Sequence, residues 1–547
     1  MALPSDTATE RRLGALTPKG GVRLAASRCW LALWRGNPPS WDLLLAAVVA
    51  SLLVLAPLAY VFLRASQAGA SRWQMLLASR VPTLLANTFS LMAVVTAGAI
   101  TIGVTTAFLV ERTDLPVRRL WQILLAMPLV IPPYVGALAY LTVFGPTGLL
   151  RDLLGSAPIR IYSFGGVAAV LTAFTYPYVY LITAAALRRL NRSYEEAALS
   201  CGVSLGRTIF AIVLPMLVPA IGAGALLVAL YVLSDFGAVA MLRYDTFTRA
   251  IYFQMTGRLD RSGAAVLATI MVSLTLVALW LESRVRHGTS YVQTGGTYRP
   301  PLRLSLGRFR IPALAAVAAI VFVAVVLPVG ILAYWAVRGV AVDGIRPQLL
   351  HHLFNSLRIA GPAAVLAMAL AAPVAYLKSR HPSWISRGID RAVFAGYALP
   401  GVIVALGIIF LFNRYLPTLY ATPAIIVTAC LMRFLPQSVR STDASLELVS
   451  PRLDEAARGM GVRGALILWR VVLPLILPGL LVGGAMVFIN TMKELPATLL
   501  LRPAGFDTLS VRIWMEAHEG FYTAAALPAL LLVAISALPL RWIIRDY

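Results

Sequence analysis

Long apolar runs separated by short polar segments dominate the pattern of the chain. A helix needs about 20 consecutive apolar residues to cross the hydrocarbon core of a bilayer. Twelve runs approach that length, and a polar stretch divides them into two sets of six. The predicted spans are residues 43–63, 89–110, 120–143, 164–187, 220–240, 263–281, 311–335, 357–377, 392–412, 418–435, 480–496 and 523–540.

This pattern predicts an all-α, polytopic membrane protein with twelve transmembrane helices in two homologous six-helix halves. Residues 1–41 are polar and basic, and we interpret them as a cytoplasmic arm. The halves are predicted at 42–281 and 311–547, joined by a Gly-, Pro- and Arg-containing cytoplasmic linker at 282–310.

Composition supports a lipid-embedded chain. Of 547 residues, 59% are hydrophobic and 13% are charged, and the mean hydropathy is +0.80. Soluble domains are about half apolar and one quarter charged, so the composition argues against a soluble enzyme and against a disordered protein. The three cysteines and five histidines have no metal-ligand spacing, so no metal-binding residue is assigned.

The net charge of +24 is explained by membrane orientation better than by nucleic-acid binding. With the N-terminus in the cytoplasm, 31 of the 47 Lys and Arg residues fall in cytoplasmic segments. Because cytoplasmic loops carry an excess of Lys and Arg, this count predicts that both termini are cytoplasmic.

The two halves share residues at a constant spacing of 268 positions. Internal repeats of this kind build the central pathway of many transporters. The matched pairs are Asn87-Thr88 with Asn355-Ser356, Ala107-Phe108-Leu109 with Ala375-Tyr376-Leu377, and Ile131-Pro132-Pro133 with Leu399-Pro400-Gly401.

A longer motif, E-A-A-x3-G-x9-[IV]-x-L-P, occurs in one predicted cytoplasmic loop of each half, 259 positions apart. Glu and Ala favour a short helix, and Gly provides a backbone turn that other residues resist. The defining residues are Glu196, Ala197, Ala198 and Gly202 in the first copy and Glu455, Ala456, Ala457 and Gly461 in the second.

This motif resembles the EAA loop of importer permeases in the ATP-binding-cassette (ABC) superfamily. The resemblance implies that both loops are coupling helices, which dock two copies of a separate ABC ATPase subunit. The chain has no G-x-x-x-x-G-K-[ST] sequence, so ATP and Mg²⁺ are expected on those partner subunits. The chain itself is predicted to be a transport subunit that catalyses no reaction and binds no cofactor.

Two acidic residues after the motif are candidates for a substrate pathway. The 259-residue spacing matches Asp235 with Glu494 at the ends of the fifth and eleventh predicted spans. Acidic residues in membrane segments are costly, and carboxylates are suitable ligands for a hard trivalent cation. Alternatively, each acid pairs locally with Arg243, Lys493 or Arg502, or faces water.

The segments around these acids, residues 233–246 and 493–508, resemble those of ferric-iron importer permeases, which also fuse two six-span halves. That resemblance implies a bacterial inner-membrane permease, alternating access driven by ATP, and ferric iron delivered by a periplasmic binding protein. Fused permeases for thiamine or 2-aminoethylphosphonate have the same architecture. A proton- or sodium-coupled secondary transporter is the alternative from another class, and it leaves the two matched loops unexplained.

Overall fold

The computed structural model is helical throughout the ranges it describes, with no β-strand in those ranges. An isolated parallel β-bridge joins Thr113 to Leu304. Most of the predicted arm, much of the predicted linker and the last nine residues lie outside the described residues. The described residues are Trp34, 38–155, 159–286, 302–462 and 464–538.

Twelve helices form the first half of the described chain: α1 (Trp41–Ser66), α2 (Ala70–Ser79), α3 (Val81–Arg112), α4 (Arg118–Ala126), α5 (Pro133–Phe144), α6 (Leu149–Leu154), α7 (Phe164–Arg189), α8 (Ser193–Ser200), α9 (Leu205–Ser234), α10 (Gly237–Met241), α11 (Phe247–Thr256) and α12 (Arg261–Arg286). Eleven helices follow in the second half: α13 (Gly307–Val342), α14 (Gln348–Arg380), α15 (Trp384–Ala398), α16 (Gly401–Tyr415), α17 (Pro417–Tyr420), α18 (Ala424–Glu447), α19 (Arg452–Gly459), α20 (Ala465–Met492), α21 (Pro496–Leu501), α22 (Leu509–Glu519) and α23 (Tyr522–Ala537).

The all-α, multi-span membrane class is confirmed. Within the described ranges, nine helical segments are long and apolar enough to cross a membrane, and one of them is the run Pro133–Leu154 that contains α5 and α6. The bent pair α15 and α16 raises the number to ten. Helix α23 lies at the predicted twelfth span and is apolar but shorter. Helix α18 contains residues 424–435 of the predicted tenth span and does not belong to this set. The structure therefore supports nine or ten spans by these criteria, where the sequence predicts twelve.

Two predicted spans, 120–143 and 392–412, are wrong as single helices. In the first half α4 ends at Ala126 and α5 begins at Pro133. In the second half α15 and α16 meet at a bend of 110°. Proline lacks an N–H group and fixes φ, and Pro132 and Pro400 both adopt extended backbone before the next helix. Hydropathy registers the apolar run and is insensitive to this interruption.

The chain divides into two compact units, and the boundaries between them fall within helices. The first loop motif lies in the larger unit and the second lies in the smaller one. Among the described residues, the smaller unit lies within Met1–Leu55, Val365–Gly396 and Leu435–Gly484, and the larger lies within Ala56–Ala364, Tyr397–Phe434 and Ala485–Tyr547.

Close packing of α3 and α9 against α7 positions the first loop, because α8 connects α7 to α9. Gly103 of α3 and Gly224 of α9 both lie against Val179 of α7. A Cβ atom on either glycine would come within 2.8 Å of a Val179 carbon. Small residues allow helix backbones to approach closely in membrane proteins, and these two glycines have that function here.

Candidate functional site

The two motif copies form helices with the same boundaries. Helix α8 begins at Ser193 and ends at Ser200, and α19 begins and ends 259 positions later. Each loop then enters a π-helical turn, Ile209–Val213 or Leu468–Val472, again 259 positions apart. The Leu-Pro pair of each motif starts the regular α-helix that follows, where proline is well tolerated.

The motif glycine ends each short helix. Gly202 and Gly461 have φ angles of +79° and +86°, in the left-handed region that favours glycine. The next residue donates its N–H group to the last motif alanine: Val203 to the Ala198 carbonyl at 3.1 Å, and Val462 to the corresponding carbonyl at 3.0 Å. This is the six-to-one bond of a Schellman C-cap. The motif spacing is therefore explained by a helix and its terminator.

A buried ion pair fixes the first loop helix to the end of α3. Arg112 donates two parallel hydrogen bonds to the Glu195 carboxylate, each 2.7 Å long. The side chains are 1% and 4% exposed. Glu195 immediately precedes the motif glutamate, and α8 has only eight residues, too few for a stable isolated helix. Its position therefore depends on tertiary contacts, and the strongest one visible is this pair.

The second loop helix has the equivalent attachment. Asp454 precedes the motif glutamate of α19 and pairs with Arg380, the last residue of α14, at 3.1 Å between Oδ2 and Nε. The Tyr376 hydroxyl donates a 3.0 Å hydrogen bond to the same carboxylate oxygen. Arg380 also donates to the Val449 carbonyl at 2.6 Å. Each loop helix is thus attached by the arginine that ends a long helix, α3 in the first half and α14 in the second.

The motif residues divide between a buried side and an exposed side. Ala198 and Ala457 are buried beneath their helices. Ala197, Gly202, Ala456 and Gly461 are exposed, as is Glu455, and Glu196 is half-buried and pairs with Arg192 at 2.7 Å. Apolar side chains extend the exposed surface: Tyr194 and Leu199 on the first loop, Leu453 and Met460 on the second.

Sequence reasoning missed the anchoring residues Arg112, Glu195, Arg380 and Asp454. The two arginines are 268 positions apart and the two acids are 259 apart, the same spacings that match other parts of the halves. A search for charged residues at these repeat spacings can identify all four. The pairing itself is a tertiary contact, because 83 residues separate the partners of the first pair.

The candidate pathway acids cap short helices. Asp235 Oδ2 accepts the backbone N–H groups of Ala238 at 3.1 Å and Val239 at 3.2 Å, at the start of α10. Glu494 Oε1 accepts the N–H group of Ala497 at 3.2 Å, at the start of α21. Both acids are buried, and each caps the short helix that follows it in its half of the chain.

Glu494 pairs with Arg433, which is not one of the three partners expected from the sequence. Arg433 also lies close enough to Asp235 for their charges to interact. The three expected partners are engaged elsewhere: Lys493 donates to the Leu129 carbonyl, Arg502 pairs with Asp507, and Arg243 stacks over Tyr162. In the described part of the chain, no group of three or more His, Cys, Asp or Glu side chains is arranged to hold a metal ion.

Comparisons with known proteins agree with the duplicated architecture. The chain is 33% identical to the Fe(3+)-transport system permease protein FbpB 2 of Haemophilus influenzae, over 93% of this chain and 99% of that protein. It is 27% identical to the probable ABC transporter permease protein y4fN of Sinorhizobium fredii, over 86% of each. It is 26% identical to the ferric transport system permease protein FbpB of Actinobacillus pleuropneumoniae, over 77% of this chain and 65% of that protein.

A family model also matches the chain twice, at residues 99–291 and 347–545, once in each half. Each match contains one loop helix, its anchoring arginine and one of the two buried acids. The chain therefore belongs to the binding-protein-dependent transport system inner membrane component family.

Proposed function

We propose that the chain is the fused permease of an ATP-driven ferric-iron importer in the bacterial inner membrane. Two copies of an ABC ATPase subunit dock on the loops that carry α8 and α19 and hold the ATP and Mg²⁺. A periplasmic binding protein delivers ferric iron from the opposite side, and both termini of the chain are cytoplasmic. This chain contributes the pathway and binds no cofactor of its own.

The observation that carries this proposal is the pair of short helices with identical boundaries at a 259-residue spacing. Each is attached from beneath by a buried ion pair and presents Glu, Ala and Gly of the motif on its outer side. Exposed aromatic and aliphatic side chains beside charged groups are typical of protein interfaces. Two such surfaces on one chain support two ATPase copies.

Paired substitutions test the docking surfaces. A Cβ atom at Gly202 or Gly461 meets no atom within 4 Å, so aspartate there places its carboxylate directly on the exposed surface. We expect Gly202→Asp with Gly461→Asp to abolish ATPase co-purification and uptake while the chain remains folded in detergent. Gly69→Asp with Gly505→Asp is the matched control, because both control glycines also have positive φ and open surroundings. Full ATPase binding by the loop variant contradicts the docking proposal.

The substrate assignment is supported by the names of the relatives, two of which are ferric or Fe(3+) transport permeases. The deciding measurement is uptake of radiolabelled ferric iron, thiamine and 2-aminoethylphosphonate, each supplied with its binding protein. Iron uptake that requires ATP supports the proposal. Uptake that collapses with a proton uncoupler at constant ATP supports a secondary transporter, and uptake of either organic substrate reassigns the cargo.

We also propose that Asp235 and Glu494 face the substrate pathway. Arg433 neutralises Glu494 and lies near Asp235, so a passing cation must compete with that guanidinium for carboxylate oxygens. We expect Asp235→Asn with Glu494→Gln to reduce ferric uptake at least tenfold without loss of ATPase binding. Unchanged uptake removes both residues from the pathway.

A further inference from the structure

Two cavities of nearly equal size, about 340 and 320 Å³, lie in equivalent places in the two halves. The first cavity, of about 320 Å³, is formed by α2, α11 and α12. The second, of about 340 Å³, is formed by the end of α13, the start of α14, α22 and α23. Beyond α10 and α21 the repeat spacing becomes 262: Asn87 and Asn355 donate equivalent 3.0 Å hydrogen bonds to the carbonyls of Asp245 and Asp507. Five lining positions of the two cavities coincide when the spacings of 268 and 262 are applied. The matched pairs are Arg72 with Val340, Leu76 with Gly344 and Arg80 with Gln348, each 268 apart, and Ala250 with Arg512 and Gln254 with Glu516, each 262 apart.

Each cavity holds one carboxylate that is bound by arginine, and the guanidinium groups in its lining outnumber that carboxylate. In the first cavity Asp260 pairs with Arg72 and accepts a 2.6 Å hydrogen bond from Gln254. The lining also includes Arg258 and Arg80, and Arg80 lies 3.9 Å from the Asp245 carboxylate. Arginines outnumber the acid three to one in this lining.

In the second cavity Glu516 pairs with Arg512, and Arg346 lies 3.6 Å from the same oxygen. The Glu516 side chain is 7% exposed and that of Arg346 is 49% exposed. Both cavities are therefore net positive, although the arginines occupy different repeat positions.

The remaining walls are apolar. Leu76, Ala250 and Leu267 are buried in the first cavity, and Ala336, Leu349 and Pro528 are buried in the second. Both cavities lie where a candidate membrane helix begins, α3 at Val81 and α14 at Gln348. Large apolar residues are exposed around them: Met75 and Leu77 near the first, Val342, Ile345 and Leu350 near the second.

From these observations we propose that each cavity binds one anionic phospholipid, with its phosphate on the arginines and its acyl chain against the apolar wall. Guanidinium groups form charge-assisted hydrogen bonds with phosphate oxygens, and basic pockets between membrane helices are known sites for lipid headgroups. Exposed apolar patches mark membrane or protein contacts, and the location of both cavities at the start of a candidate membrane helix favours lipid over a soluble acidic protein. The assignment is independent of the cargo.

Native mass spectrometry of the intact transporter tests this proposal, with phosphatidylglycerol and phosphatidylcholine as probes. We expect two retained phosphatidylglycerol molecules per chain and at least tenfold weaker retention of phosphatidylcholine. Arg80→Gln with Arg258→Gln should remove one lipid, Arg346→Gln the other, and the triple variant both. These substitutions keep the Asp260–Arg72 and Glu516–Arg512 pairs and remove the longer contacts of Arg80 with Asp245 (3.9 Å) and of Arg346 with Glu516 (3.6 Å), so the core of each cluster is retained. Arg414→Gln, an exposed arginine outside both cavities, is the control.

Retention of both lipids by the triple variant, or equal retention of the two lipid classes, overturns the proposal. Displacement of phosphatidylglycerol by an equal concentration of inorganic phosphate also overturns it, because the site then recognises phosphate without the acyl chain. A soluble acidic protein as the true occupant predicts loss of that protein's binding in the triple variant with no headgroup selectivity.

Discussion

The buried pair between Arg112 and Glu195 makes a quantitative prediction about force transmission. If α8 receives the movement of an ATPase subunit, this pair connects that movement to α3. Glu195→Gln removes one charge and leaves the Arg112 guanidinium buried without its counter-ion. Breaking a buried ion pair in this way costs about 3–5 kcal/mol.

Since 1.4 kcal/mol corresponds to a factor of ten, a cost of about 3 kcal/mol shifts the balance between attached and released α8 by roughly a hundredfold. The outer side of α8 is unchanged, so the ATPase subunit should still bind. We therefore expect ATP hydrolysis to continue while substrate transported per ATP falls at least tenfold. Hydrogen exchange of the α8 amides should accelerate in the same variant.

The control is Arg192→Gln, at the residue that immediately precedes α8. Arg192 and Glu196 form a partly exposed pair four residues apart, and such pairs contribute about 0.3–0.5 kcal/mol. That variant should transport at nearly the normal rate. The exchanged pair, Arg112→Glu with Glu195→Arg, should recover a large part of the coupling. Normal coupling in Glu195→Gln, or an exchanged pair no better than either single variant, refutes the reasoning.

Three further outcomes follow from described contacts. Tyr376→Phe removes one hydrogen bond to Asp454 while the ion pair remains, so a loss of about 1 kcal/mol in thermal stability and less than a threefold change in uptake are expected. Leu304→Pro removes the N–H group that donates a 2.7 Å bond to the last carbonyl of α3, so amide exchange at residues 112–114 should rise. Gly401→Ala places a methyl group against the Glu494 carboxylate, so uptake should fall, as it should in the double variant Asp235→Asn with Glu494→Gln. Normal uptake in that last variant contradicts the pathway role of the carboxylate.

The sequence alone predicted the features that depend on local pattern. Apolar runs identified the multi-span helical class, although the described residues support nine or ten spans where the runs predict twelve. The motif located both loop helices because Glu, Ala and Gly determine a helix and its end within a few residues. The breaks at Pro132 and Pro400 were readable in principle, since proline interrupts helices regardless of hydropathy. Averaging over an apolar run concealed them.

The sequence predicted less where the outcome depends on tertiary contacts. Asp235 and Glu494 were matched correctly by position, but the partner of Glu494 comes from α18, 61 residues away. The anchoring pairs were missed for the same reason. Burial decides whether a charged residue at a helix end is solvated or paired, and the local pattern around Arg112 and Arg380 is similar in either case.

Some charged contacts between helices have opposite polarity in the two halves, and others have the same polarity in both. Glu111 of α3 binds bases, Arg118 on α4 and Arg188 on α7. In the second half, Lys378 of α14 binds acids, Asp390 on α15 and Asp443 on α18.

The sign of this three-helix contact is thus reversed between the halves, which indicates that packing requires a neutralised contact of either polarity. The loop anchors are different, because both place arginine on the long helix and the acid on the loop helix. A guanidinium forms several directed hydrogen bonds at once, whereas an ammonium group acts as a point charge. Arg112 uses two donors on one carboxylate, and Arg380 contacts the Asp454 carboxylate and the Val449 carbonyl at once. Both anchors therefore use several donors of one guanidinium, which a lysine ammonium at the same position does not present in that geometry.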